Sequence, residues 1–176
     1  NRYPGARVDT PSRSYTHIFG VDFHYPNPFC EWTDNQRYFD WVDDEFGLRD
    51  DIIFNTEVHS LSWDEDAGLW EIRMRGPDGD KVHRSRAVIT AVGFLSRPNI
   101  PEIRGAKTFR GKSWHTARWP AGFDLSDKRV AVIGTGCTGY QMIPELALQA
   151  RHVTVFQRTP QWVFSVPGYR SPLPAQ

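Results

Sequence analysis

The 176-residue sequence predicts an α/β protein in which an antiparallel β-meander precedes a parallel β-α-β unit. Three observations predict it. Between residues 54 and 92, extended apolar-polar runs are separated by two turn-forming stretches, Asp64-Glu65-Asp66-Ala67-Gly68 and Gly76-Pro77-Asp78-Gly79. Arg129-Val130-Ala131-Val132-Ile133 is a strand-forming run that enters a glycine-rich loop, Gly134 to Gly139, ahead of a helical stretch. A second β-branched run, His152 to Phe156, closes the unit.

The elements follow in chain order. Tyr3-Pro4-Gly5 places proline and glycine where a type II turn needs a preset φ and a positive φ, and it leads into Arg7-Val8-Asp9. Residues 15–32 are rich in aromatics but broken by Pro26 and Pro28, which predicts a packed loop with a short strand near Tyr15 to Phe19. A helix is expected from Thr33, where Thr33-Asp34-Asn35-Gln36 matches a capping box and Tyr38, Trp41, Val42, Glu45 and Phe46 recur at helical spacing before Gly47. The meander segments are Phe54 to Trp63, Leu69 to Arg75 and Lys81 to Val92. The end of the last, Ala87 to Val92, is apolar enough to be a strand buried on both faces. Arg97-Pro98-Asn99-Ile100-Pro101 breaks the pattern and opens a linker. In the final unit the helix is expected over Tyr140 to Ala150, with Pro144 kinking it or delaying its start.

Composition narrows the function. A 39% hydrophobic content supports a packed core, and 21 basic residues against 21 acidic ones leave no positive field to attract nucleic acid or an anionic membrane. The longest strongly apolar stretch, Ala87 to Leu95, is far short of the ~20 residues that cross a bilayer. Cys30 and Cys137 read as free thiols, and with no signal peptide they agree with a reducing cytoplasm. His17, His24, His59, His83 and His152 show no metal-ligand spacing, so no metal is expected. The chain opens on Asn1 and stops soon after the second strand of its β-α-β unit; it reads as a piece of a longer polypeptide.

The loop Gly134-Thr135-Gly136-Cys137-Thr138-Gly139 has the G-x-G-x-x-G form in the strand-to-helix context of a Rossmann-like dinucleotide-binding unit. Gly134 allows the tight turn, Gly136 lets backbone approach a pyrophosphate, and Gly139 lets helix pack on strand. Unpaired amides at the helix start would then face the phosphates. The candidate cofactor-binding residues are these six and Gln141, with a ligand-free glycine-rich connection as the alternative. NAD units carry an acidic residue at the end of the second strand. Here Gln157-Arg158-Thr159 stands there, and a guanidinium and a hydroxyl favour the 2′-phosphate of NADP. A solvated surface arginine is the alternative.

Upstream, Phe109 to Pro120 fits F-x-G-x-x-x-H-x-x-x-W-P, with Gly111, His115, Trp119 and Pro120 at the defining positions. This resembles the fingerprint of type I Baeyer–Villiger monooxygenases of the flavin-containing monooxygenase superfamily. Asn1 to Asp9 resembles that family's tyrosine-proline-glycine turn, and Gly134 to Thr159 its NADP unit. The likeness thus spans nearly the whole chain. Flavin-containing and N-hydroxylating monooxygenases, the nearest alternative, usually lack the Trp119-Pro120 pair. Asp9-Thr10-Pro11-Ser12 and Gln157 to Trp162 look closest to members acting on aryl or cyclic ketones, such as 4-hydroxyacetophenone monooxygenase.

The resemblance implies portions of two Rossmann-like domains, for FAD and NADP. Residues 1–94 would be the later portion of the FAD-binding segment, 95–124 a linker carrying the fingerprint, and 125–176 the first portion of the NADP-binding domain. It implies that NADPH reduces FAD and that one atom of O2 enters beside a ketone carbonyl, giving an ester or lactone. Asp9 would help hold a catalytic arginine beyond Gln176, and the FAD phosphate loop would precede Asn1. Arg7 and Val8 would contact the cofactors, Tyr15 the FAD, and the Val58 backbone its adenine. His115, on the linker, would tune catalysis indirectly. Without the family, Asp9 reads as a turn residue, Tyr15 and Val58 as core, and His115 as a structural histidine. Taken alone, the 176 residues would be an inactive segment or a non-catalytic NADP-binding module.

Overall fold

A computed structural model describes residues 3–173. It divides into two compact units: one joins the chain up to Val42 with the chain from Pro98 onward, and the other is Asp43–Arg97.

In the first unit Tyr3-Pro4-Gly5-Ala6 makes the expected turn, with Gly5 at φ 73° and the Ala6 amide donating to the Tyr3 carbonyl at 3.2 Å. The expected strand near Tyr15 to Phe19 is absent. Short 3-10 turns occupy Ser12–Tyr15 and Ile18–Gly20 instead. The physical reason is that the Tyr38 hydroxyl takes the His17 amide at 2.8 Å, and among the described residues no strand pairs with this segment. A single antiparallel bridge, Arg7 with Glu31, closes this loop.

Helix α1 spans Trp32–Phe46, and its first turn is capped differently from expectation. The Asp34 carboxylate accepts the Glu31 amide at 3.3 Å, so the reciprocal half of a capping box forms two residues before Thr33. Asp34, Tyr38 and Val42 share its buried face, four residues apart. Gly47 at φ 61° ends the helix as the sequence indicated.

Strands β4 (Arg129–Ile133) and β5 (His152–Phe156) pair in parallel, and α2 (Cys137–Gln149) connects them. Both strands match expectation. The helix starts three residues early, because the Tyr140 amide closes a turn on the Gly136 carbonyl at 3.0 Å, and it carries Pro144 within it rather than being delayed by it. Leu146 and Met142 on α2 meet Val132 of β4, Leu125, Tyr3 and Ala6 in one apolar cluster, with Trp119 and Phe123 packed against it. Tyr25, Cys30, Tyr38 and Val42 form a second.

The second unit holds the meander: β1 (Glu57–Asp64), β2 (Leu69–Gly76) and β3 (Gly79–Ser85), antiparallel in that order. Trp63 faces Trp70 across β1 and β2 with ring centroids 5.5 Å apart. Gly68 at φ 61° and Gly79 at φ 98° supply the backbone that the two turns require. The expectation of a buried strand over Ala87 to Val92 fails. These residues are irregular, with Ile89 92% and Val92 79% exposed, and no described strand pairs with them. Among the described residues no helix is long and apolar enough to cross a membrane.

Candidate functional site

The glycine loop departs from the end of β4, where the Gly134 amide donates to the Phe156 carbonyl of β5 at 2.9 Å. Each glycine answers to a different constraint. Gly134 sits at φ 104°, in the region that favours glycine. A Cβ on Gly139 would lie 2.8 Å from the Gly134 carbonyl oxygen, so a side chain there would push helix from strand. Gly136 has an ordinary φ of −69°, and a Cβ on it would meet nothing within 4 Å. Its missing side chain leaves open space on the ligand side of the loop, which is what a phosphate group approaching backbone requires. Gly136 caps α2 without any side-chain bond, leaving the amides of Cys137, Thr138 and Gly139 without helical carbonyl partners. An exposed helix start of this kind binds anions.

Thr135 faces the end of β5, where its hydroxyl accepts from Gln157 Nε2 at 3.0 Å. Arg158 and Thr159 follow directly and are exposed, so the strand end that distinguishes NADP from NAD lies beside the loop. Cys137 is an exposed free thiol and Cys30 a buried one, as expected from the sequence.

Gln141, one turn into α2, points at the amino-terminal turn. Its Oε1 accepts from the Tyr3 hydroxyl at 2.8 Å and from the Arg7 amide at 3.3 Å, while its Nε2 donates to the Arg7 carbonyl at 2.8 Å. Helix and turn are in close contact here: a Cβ on Gly5 would lie 2.5 Å from the Gln141 carbonyl oxygen. The Arg7 guanidinium is 8% exposed and donates to the Phe29 carbonyl at 2.6 Å and to Glu31 at 2.9 Å. Tyr169 covers it, its ring centroid 5.7 Å from the guanidinium carbon, and donates its hydroxyl to the Val8 carbonyl at 2.9 Å. Burial raises the Tyr3 and Tyr169 phenols above their usual pKa, and the nearby Asp9 carboxylate adds to both. Asp9 itself is exposed at the rim of this cluster.

The structure thus brings Arg7, Val8, Asp9, Gln141 and the glycine loop together. Tyr15 stands apart in its 3-10 turn, 52% exposed. Val58 lies on β1 in the other unit, beside a bulge at which His59 has no partner opposite. His115 is half-buried on the linker, where Nδ1 accepts the Ala117 amide at 3.1 Å; its flanking Trp114 and Trp119 meet edge-on at 5.3 Å. His115 therefore shapes a turn in this structure. Tyr169 was missed by sequence reasoning; the only signal was Pro167-Gly168, a turn that folds the chain back, with Gly168 at φ 71°.

The family model described as flavin-binding monooxygenase-like matches residues 13–171. A Baeyer–Villiger monooxygenase of Streptomyces coelicolor is 39% identical over 164 residues, which is 93% of this chain and 31% of that protein. Among solved structures, cyclohexanone monooxygenase from Rhodococcus sp. Phi1 bound to NADP+ superposes with a TM-score of 0.82 at 43% identity, covering 92% of this chain and 31% of that one. OTEMO in complex with FAD and NADP gives 0.81 at 38% identity, covering 92% and 32%. The chain spans about a third of the length of the relatives it matches.

Proposed function

Because the chain belongs to the flavin-binding monooxygenase-like family, we propose that it is part of an FAD- and NADPH-dependent Baeyer–Villiger monooxygenase acting on a ketone in the cytoplasm. The observation that carries this reading is the glycine loop: open space at Gly136, a tight contact at Gly139 and an uncapped helix start together make a cradle for a pyrophosphate. The Trp119-Pro120 pair ahead of it favours a Baeyer–Villiger enzyme over flavin-containing or N-hydroxylating relatives. The relatives' names favour a cyclic ketone as substrate.

Bound FAD and NADPH would supply the reducing electrons and the activation of O2 for insertion of one oxygen atom beside the carbonyl. This chain's residues do the positioning. Loop backbone and the amides of Cys137, Thr138 and Gly139 hold the pyrophosphate; Arg158 and Thr159 take the 2′-phosphate. Arg7, Val8 and Asp9 form the wall next to that site, with Asp9 as its free carboxylate. Tyr15 and Val58 belong to the FAD side, within residues 1–94. His115 sets the backbone of the linker, 95–124, between FAD and NADP portions, the latter being 125–176. In the whole polypeptide, further strands pair with Ala87 to Val92 and give that apolar run the burial its composition calls for.

The test is oxygen uptake by the full-length enzyme with NADPH. A cyclic ketone should accelerate it and yield a lactone. Acceleration by an amine or thioether with formation of its N- or S-oxide, and no lactone from any ketone, would favour the flavin-containing alternative.

A further inference from the structure

The Arg7–Val8 backbone is gripped from two directions by side chains that come from either side of the glycine-loop unit. Gln141 on α2 holds both the amide and the carbonyl of Arg7. Tyr169, from beyond β5, holds the carbonyl of Val8 and roofs the Arg7 side chain. Gln141 sits five residues after Gly136, on the helix whose first amides face the space at that glycine, so a shift of the helix start is transmitted to Arg7 by two hydrogen bonds of one side-chain amide, which a third ties to the Tyr3 hydroxyl.

We propose that Gln141 and Tyr169 are positioning residues that lock the Arg7–Asp9 wall to the dinucleotide-binding helix, and that Gln141 is not itself a nucleotide ligand. The value of this lock to catalysis rests on the reading above, in which Asp9 serves the reaction. The alternative for Gln141, direct contact with the nucleotide, leaves its amide bonds to Arg7 and Tyr3 without purpose, since both its Oε1 and its Nε2 are already engaged. Tyr169 is the more discriminating position. Replacing it by phenylalanine keeps the ring over Arg7 and against Phe29, at 4.8 Å, and removes the hydroxyl with its bond to the Val8 carbonyl and its interaction with Gln141.

The experiment compares full-length wild type with Tyr169→Phe and Gln141→Met. Amide exchange is read by mass spectrometry on the peptide containing residues 4–10, in the absence of nucleotide. Tyr169→Phe should exchange about fivefold faster there, the effect of losing one hydrogen bond to that segment, and Gln141→Met, which loses both bonds to Arg7, faster still, with flavin content close to wild type in both. NADP+ should bind all three proteins within about twofold by calorimetry, and in steady-state assay kcat should fall in both variants while KM for NADPH stays within about twofold. Unchanged exchange in both variants would overturn the lock, whatever reaction the enzyme performs. Loss of NADP+ binding in Gln141→Met with normal exchange would overturn it too, by making Gln141 a ligand. Wild-type enzyme that makes no lactone counts against the proposed function alone, because the exchange comparison does not depend on turnover.

Discussion

At the residue scale, the glycines of the loop separate into those that the fold needs and one, Gly136, for which the fold gives no reason and the proposed nucleotide does. Gly139→Ala puts a methyl group 2.8 Å from the Gly134 carbonyl oxygen and should destabilise the protein by about 1–3 kcal/mol, read as a lower denaturation midpoint. Gly136→Ala adds its methyl to open space at an ordinary φ. Its stability should stay within about 1 kcal/mol of wild type while NADPH affinity falls about tenfold or more. The reverse pattern would show that the loop is built for packing alone. Arg158 makes a second residue-level prediction. Arg158→Ala should raise KM for NADPH by about 10- to 100-fold, the loss of charge-assisted bonds to a phosphate, and leave KM for NADH nearly unchanged. Equal effects on both would defeat the 2′-phosphate assignment.

At the scale of elements, the amino-terminal turn, α2 and the segment around Tyr169 act together through one buried phenol, Tyr3, and one half-buried phenol, Tyr169. Burial raises the Tyr3 and Tyr169 pKa values above their ordinary value of 10.0 in the folded state. The unfolded chain then releases these protons first as pH rises. The stability they contribute is therefore fully present below about pH 10 and is lost as pH climbs through the higher folded values. Denaturation midpoints measured from pH 8 to 11 should fall more steeply above about pH 10 in wild type than in Tyr169→Phe; parallel curves would mean that this phenol is not linked to folding. Much of the element layout was legible from sequence: strand periodicity located β4 and β5 to the residue, and the stretches Asp64 to Gly68 and Gly76-Pro77-Asp78-Gly79 located the meander turns. Misreadings arose where a long-range partner decided the outcome. Residues 15–19 have the aromatic and β-branched content of a strand, but the Tyr38 hydroxyl claims the His17 amide. Cap chemistry at Thr33 was sound in type and misplaced by two residues, since Asp34 reaches back to Glu31 instead.

At the scale of the whole molecule, a chain with 21 positive and 21 negative side chains has a balanced charge, and the proposed functional surface is local: one glycine loop, one strand end and one adjoining wall. Sequence reading located the loop and the strand end because both obey short-range spacing rules. It did not reveal that Arg7 lies against Gln141, 134 residues away, because no local pattern encodes that contact. The exposed apolar run at Ala87 to Val92 has the composition of a buried strand without a neighbour among the described residues, which accords with a chain that spans about a third of its relatives. The proposed oxygen insertion beside a ketone by the full-length enzyme is open to a direct test by isotope labelling. With NADPH, cyclohexanone and 18O2, the lactone should carry one atom of heavy oxygen, with NADPH consumed in step with lactone formed. Consumption of NADPH that ends entirely in hydrogen peroxide, with no labelled lactone from cyclohexanone or other cyclic ketones, would contradict it.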